Sequence, residues 1–303
     1  MVRIDDLQLF VRAAEMGSLS AAARLLNLSP AVASASLKRL EQQLGVRLLA
    51  RSTRNLRLTA EGESYLQHAR SALSSLEQGR RILAHGQDQV SGTLLLSAPS
   101  DFGRNVLLPW LDELQREHPQ LNVRLLLGDR NADLFRQSAD IALRYGAPED
   151  SSLVALPLCL ENRRVLCASP AYLARCGEPT QIAELAQHNC LLYQLGNRVH
   201  DHWRFGQGTS ATGVGVSGDR FCDDADVVRR WAVAGVGIAY KSWLDVAGDV
   251  QAGRLKLLLP HLRGEPAPLN LMCTHRAQLG KPVQLLRDLL RSRCQAMFEM
   301  LDN

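Results

Sequence analysis

Residues 18–45, SLSAAARLLNLSPAVASASLKRLEQQLG, constrain this chain more than any other stretch. Ser18 and Ser20 lead into an alanine-rich run, Asn27-Leu28 interrupts it, and Ser29-Pro30 opens a second helical pattern that ends at Gly45. Serine before an apolar periodic run is an N-cap signal, proline suits the first turn, and glycine suits the position past the last. Two short helices around such a turn make a helix-turn-helix. Ala21, Ala22, Ala23, Ala31 and Ala33 are small enough for the helices to cross closely. In the second helix Leu37, Leu40 and Leu44 form a core-facing stripe, which leaves Ser34, Ser36, Lys38, Arg39 and Gln42 on the other side.

Charge supports a nucleic-acid reader. Residues 1–90 hold 12 Lys/Arg against 8 Asp/Glu, whereas residues 91–303 hold 23 of each, so the whole formal excess of +4 lies in the N-terminal segment. Between positions 24 and 57, Arg24, Lys38, Arg39, Arg47, Arg51, Arg54 and Arg57 face the single acid Glu41. A concentrated basic patch is the footprint of phosphate binding. Two short alternating stretches, 46–49 and 56–58, flank Arg51-Ser52-Thr53-Arg54-Asn55 and read as a hairpin with a basic polar tip. This is a winged helix-turn-helix, with the second helix in the major groove and the wing's cations near phosphates or the minor groove.

Other classes are disfavoured by what the sequence lacks. No run of 18 apolar residues suggests a membrane span, and the N-terminus has no apolar signal region, so a cytoplasmic protein is expected. Seven scattered cysteines without C-x-x-C read as reduced thiols, neither a disulfide framework nor a zinc site. His200-x-His202 has no partner cluster, so no metal is expected. There is no G-x-S-x-G, P-loop or H-E-x-x-H, nor a complete G-x-G-x-x-G opening a helix, so neither enzymatic activity nor a cofactor is expected.

Residues 59–91 form a proline-free connector in which Leu66, Ala69, Leu73, Leu76 and Leu83 fit an a/d seam. Such a stripe either covers its own N-terminal domain or pairs with a twin; pairing would present two reading heads to two half-sites. GQDQVSG (86–92) reads as a hinge. Beyond it, short apolar runs alternate with amphipathic helices, an α/β pattern. Strands are expected at TLLLSA, NVRLLLG, DIALRYG, RVLCAS, CLLYQL, TGVGVSG, GIAYK, RLKLLLP and NLMCTH. Helices are expected near 103–117, 133–138, 170–176, 180–188, 224–234, 242–252 and 282–301.

The run ARLLNLSPAVASASLKRLEQQLGVRLLARSTRNLRLTAEG resembles the winged helix-turn-helix of LysR-type transcriptional regulators. The resemblance continues through SAPSDFGR, DIALRYG, SPAYLARCGEP and DADVVRRWAVAGVGIA, and so covers nearly the whole chain. It implies a DNA-binding domain over 1–58, a linker and dimerisation helix over 59–91, and an effector-binding domain over 92–303. That domain would be similar to the type 2 periplasmic binding proteins, with lobe one at about 92–162 plus 266–303 and lobe two at about 163–265. The implied partners are double-stranded promoter DNA, a small-molecule effector, and further copies of the chain in a homodimer or homotetramer. RNA polymerase joins them if the protein is an activator. A solute-binding protein carrying a nucleic-acid-binding head is the alternative.

Candidate DNA contacts are Ser29, Ser34, Ser36, Lys38, Arg39, Arg51, Thr53 and Arg54. In one departure from the family pattern, Ala35 stands where many members carry an arginine, so base contact by a long cation is missing there. In an open α/β sheet the ligand cleft lies at the C-terminal ends of strands. That rule places Ser100 and Asp101 after the first strand, Arg144 and Tyr145 at the end of the third, and Tyr193 and Gln194 at the end of CLLYQL as candidate effector contacts. Asp223-Asp224 reads as an N-cap pair for the following helix, with Asp223 also facing the cleft. These residues suit an anionic or aromatic metabolite.

Overall fold

The computed structural model describes residues 2–51, 56–85, 90–129, 141–146, 153–195, 198–206, 212–273 and 280–301. The chain forms two compact units, Met1–Gln89 and Val90–Asn303.

The first unit contains helices α1 (Ile4–Met16), α2 (Leu19–Leu25) and α3 (Pro30–Leu44). A two-stranded wing of β1 (Leu49–Arg51) and β2 (Leu56–Leu58) follows, and then the long helix α4 (Ala60–His85). The expected caps are in place: Ser18 Oγ accepts from Ala21 N–H at 3.2 Å and Ser29 Oγ accepts from Val32 N–H at 3.3 Å. Gly45 ends α3 at φ 71°, in the left-handed region that favours glycine. Leu9, Phe10, Ala22, Ala33, Leu37, Leu40 and Leu48 form the core. The start of α4 completes it, which corrects the expected dimer seam at its first two positions. Leu66 and Ala69 are buried in this core against α1, and Leu73 packs partly on it, because α1 and the wing leave an apolar surface that only α4 covers. Leu76 is 52% exposed, and the Leu83 side chain lies outside the described residues.

The second unit holds two sheets of matching design. The first contains β3 (Gly92–Ala98), β4 (Leu121–Leu127), β5 (Ile141–Tyr145), β6 (Val154–Cys159) and β15 (Leu269–Cys273), in the order β4-β3-β5-β15-β6. Its β4, β3 and β5 are parallel neighbours, whereas β15 is antiparallel to both β5 and β6. The second contains β7 (Arg164–Ala168), β8 (Cys190–Leu195), β12 (Phe221–Cys222), β13 (Ile238–Ser242) and β14 (Lys256–Leu258), in the order β12-β8-β13-β7-β14. There β12, β8 and β13 are parallel, and β7 is antiparallel to β13 and β14. Between β8 and β12 in the chain, β9 (Arg198–His200) folds back on β8, and β10 (His202–Phe205) pairs with β11 (Thr212–Gly215). Strand β6 has no counterpart among the expected strands, because Pro157 argues against a strand interior. It lies at the sheet edge, where a missing N–H is tolerated.

Helices pack around and between these sheets. The helical run after β3 starts as α5 (Ser100–Phe102), continues through a π-helical turn (Gly103–Leu107) and ends as α6 (Leu108–Glu117). Farther along lie α7 (Pro170–Cys176), α8 (Ala225–Val233), α9 (Trp243–Gln251) and α10 (Lys281–Glu299). A short helix expected near Asp133–Ser138 lies outside the described residues. One apolar core joins the two lobes: Leu244 and Val246 of α9 share it with Leu286 and Leu290 of α10, and Trp243 Nε1 donates to Met297 O at 2.7 Å.

Gly62 fixes how α4 leaves the wing. Thr59 Oγ1 donates to Arg47 O at 2.7 Å and accepts from Gly62 N–H at 2.9 Å, and a Cβ on Gly62 would lie 2.0 Å from Leu48 O. Gly62→Ala therefore has to push backbone from backbone. It should destabilise the first unit by about 2 kcal/mol in urea unfolding, within the range for overpacked sites; an unchanged midpoint would contradict this reading.

Candidate functional site

The outward face of α3 is set by what the opposite face buries. With Ala33, Leu37 and Leu40 inside, Ala31, Ala35, Lys38 and Gln42 recur at helical spacing on the exposed side, and Ser34 sits half-buried at their flank. Ser29 is exposed but spends its oxygen on the cap. Two of the expected groove contacts are corrected. Ser36 is buried, and Arg39 directs its guanidinium inward: Nε donates to Asp6 Oδ2 at 2.7 Å, Nη2 to the other Asp6 oxygen, and Nη2 to Ser36 Oγ at 3.0 Å. Asp6 lies on the buried side of α1, so Arg39 braces α3 against α1. Burial pushes the Asp6 carboxyl up, but the Arg39 and Ser36 hydrogen bonds outweigh it and hold the group below its ordinary value.

Glu41, the lone acid of the basic patch, also has a structural task. Its Oε1 accepts from Leu48 N–H at 2.8 Å and Leu49 N–H at 3.2 Å, tying α3 to the wing. Lys38 makes no hydrogen bond or ion pair among the described residues, and Arg24, Arg47 and Arg57 are exposed. Arg51 is paired through its backbone with Leu56, and its side chain lies outside the described residues, as do Thr53 and Arg54.

The second candidate site lies between the lobes. Parallel pairing aligns Ala98 with Leu127, so the chain leaves β3 and β4 side by side and puts Ser100 next to Asp129. In the other lobe Cys222 pairs with Tyr193, so α8 starts beside the end of β8. These strand ends meet. Ser100 N–H donates to Asp129 Oδ1 at 2.8 Å, and Ala225 N–H donates to Asp129 Oδ2 at 2.9 Å and lies 3.1 Å from Ser100 Oγ. The Ser100 hydroxyl stands 2.5 Å from Asp129 Oδ2 and 2.9 Å from Asp224 Oδ1, one proton between two carboxylates. Asp224 caps α8 by accepting from Asp226 and Val227 N–H. Arg104 donates to both its oxygens at 3.0 and 3.1 Å. Burial opposes the charge on Asp224, yet Arg104 and Ser100 hold its carboxyl below the ordinary range. The half-buried Tyr193 is near enough for Asp129 to add to the burial that opposes its ionisation.

Behind this cradle Asp101, Arg144 and Tyr145 are committed to internal partners, and the expectation that these three line an open pocket is corrected. Asp101 is fully buried, 2.6 Å from Lys241 Nζ and 3.9 Å from Arg229. Burial pushes its carboxyl up to about 7 against the pull of those cations. Arg144 turns inward, donating to Leu143 O at 2.7 Å and Ser97 Oγ at 2.9 Å. Tyr145 donates to Asp245 at 2.6 Å. Gln194 is half-buried, and Asp223 is exposed, leaving the cap to Asp224. His200 pairs with Glu265 at 3.1 Å and stacks on Tyr240. The sequence reading missed Asp129, although it too follows a strand at its C-terminal end; the same rule that singled out Ser100 reaches it.

Residues 4–63 match the family described as bacterial regulatory helix-turn-helix protein, lysR family, and residues 87–295 match the LysR substrate binding domain. The chain is similar to the HTH-type transcriptional activator TtdR of Escherichia coli strain K12, at 31% identity over 92% of this chain and 89% of that protein. It is similar to the activator AaeR of the same strain at 32% identity, over 94% and 92%. Among solved structures, CrgA, a LysR-type transcriptional regulator from Neisseria meningitidis, matches with a TM-score of 0.56 and 28% identity over 99% of each chain.

The Asp6–Arg39 pair makes a testable demand on pH. A carboxyl held below its ordinary value of 3.8 contributes stability above that pH and loses it as pH falls through the lower folded value. Asp6→Asn should thus unfold at lower urea than the wild type at pH 7, and the two midpoints should converge in acid. A gap that persists unchanged well below the lower folded value would show that the charge plays no part.

Proposed function

The chain belongs to the LysR family of DNA-binding transcriptional regulators, and from that premise we propose how it reads and reports. Helix α3 enters the major groove through its Ala31–Ala35–Lys38–Gln42 face, with Ser34 at the edge and the wing residues Arg51, Thr53, Arg54 and Arg57 on neighbouring phosphates. The observation that carries this reading is the composition of that face. Once Arg39 is engaged with Asp6, Lys38 is the one cation left on α3 among the described residues, and Ala35 offers only a methyl group. A bidentate arginine contributes about 1–3 kcal/mol of base discrimination, and α3 presents none. Affinity then rests on phosphate contacts, and specificity on DNA shape.

Two heads act together through the part of α4 beyond Leu73, where Leu76 is exposed, in a homodimer or homotetramer that alters promoter geometry. The inter-lobe site receives a small anionic effector and biases the placement of the heads by differential affinity for two states. If the protein activates, RNA polymerase is a further partner. We place it in the cytoplasm and assign it no catalytic step. The solute-binding alternative leaves residues 4–63 without a task.

Two measurements on the promoter beside its own gene check this. Replacing Arg57 with Ala should weaken binding about equally across operator variants and reduce the slope of log affinity against log salt by about 1 for each phosphate no longer neutralised. Base-pair scanning should spread specificity over many positions. One or two G·C pairs carrying most of it would overturn the shape-reading account, and salt-independent affinity would overturn DNA reading altogether.

A further inference from the structure

The inter-lobe cradle already holds a carboxylate, and that carboxylate is the chain's own. Two main-chain N–H groups and a hydroxyl converge on Asp129, from Ser100 in one lobe and Ala225 in the other. Asp129 itself sits two residues past β4, on the first lobe, so its side chain ties the start of α8 to the lobe it does not belong to. Neither N–H has a partner within its own helix, since both stand at first helical positions. A buried donor left unpaired is costly, so the cradle calls for an anionic or strongly accepting group whatever its source.

The surroundings favour a carboxylate in that place. The Asp224 hydrogen bond chiefly favours the charged form of Arg104, and against burial Asp101 and Asp245 favour that of Lys241; Asp129 adds to both. The half-buried Tyr193 stands alongside, also within its influence. Resting on the effector-regulated reading given above, we propose that Asp129 is a tethered stand-in for the effector: it fills the inter-lobe carboxylate site in cis, and an effector carboxylate binds by displacing it from Ser100 and Ala225. No covalent step is involved. One carboxylate replaces another on the same three donors, and Asp129 is released. The effector class is thereby a carboxylic acid.

A tether that fills the cradle about nine-tenths of the time raises the apparent Kd of an outside carboxylate about tenfold. Removing it should expose that affinity. The full-length protein is titrated with sodium acetate, against sodium chloride at matched ionic strength and against neutral acetamide, and followed by thermal melting and calorimetry. Asp129→Ala should melt lower than the wild type and regain stability saturably with acetate, but not with chloride or acetamide, with an acetate Kd about tenfold or more below that of the wild type. Asp129→Asn preserves side-chain volume if the alanine variant does not fold, and should show the same selective tightening, because a neutral amide competes less well than a carboxylate for these donors. Equal acetate affinity in the wild type and the folded variants would overturn the proposal and leave Asp129 a fixed structural cap, as would stabilisation by chloride as strong as by acetate. The titrations contain no DNA. Their failure beside intact, salt-dependent promoter binding would therefore strike this inference alone, while loss of promoter binding beside acetate-selective tightening would strike only the regulator mechanism.

Discussion

Main-chain N–H groups left over where a strand ends and a helix begins must find acceptors, and in this chain carboxylates and hydroxyls supply them. Glu41 takes the two amides at the entrance to the wing, Leu48 and Leu49, and so ties the reading helix to β1. Thr59 takes Gly62 N–H and fixes the exit toward α4. Asp224 takes the second and third amides of α8, and Asp129 takes the first, together with Ser100 N–H from the opposite lobe. Each acceptor sits at a junction whose geometry decides how a functional element is aimed. An acid in a basic patch, such as Glu41, is therefore no flaw in a phosphate-binding surface: it is half-buried and turned toward backbone.

Whether a residue's role is legible in sequence depends on how far along the chain its partner lies. The serines before α2 and α3, Gly45 after α3, and the leucine stripe of α3 each specify geometry through neighbours three or four residues away, and the structure realises them as written. The parallel halves of both sheets are visible as apolar runs between helices. Side-chain destinations are not, because they depend on distant partners. Arg39 faces outward by helical spacing until Asp6, 33 residues earlier, draws it in. Leu66 and Ala69 carry a coiled-coil seam by period alone, yet they are buried in the core of their own unit, on α1. Arg144 and Tyr145 end a strand as a ligand site would, but Ser97 and Asp245 reach them first. Asp129 escapes notice for the opposite reason. A lone aspartate after a strand has no periodic signature, and its donors, Ser100 in its own lobe and Ala225 in the other, lie 29 and 96 residues away.

The charges around the cradle limit what could exchange with Asp129. Asp101, Asp226 and Asp249 are buried with Arg229, whose Nε lies 2.6 Å from Asp249, and Lys241 lies between Asp101 and Asp245 at 2.6 and 3.5 Å. A set of buried ions like this contributes little net stability, because desolvation offsets the attraction, but losing one member is expensive. A neutral ligand that evicted Asp129 would remove a negative charge from a network that Arg104 and Lys241 are placed to feel. A cation would remove it and add its opposite. An incoming carboxylate alone leaves the buried balance as it was, meets the same three donors, and sends the original anion toward water, where its hydration is regained. The electrostatics thus select the ligand class on the same grounds as the hydrogen bonds do, and they also separate the two lobes' fates. Once a free carboxylate sits on Ser100 and Ala225, the covalent path from β4 no longer binds α8, and the lobes stay joined near that edge by the ligand, the Arg104–Asp224 and Asp101–Lys241 pairs and the Asn105–Asp226 hydrogen bond.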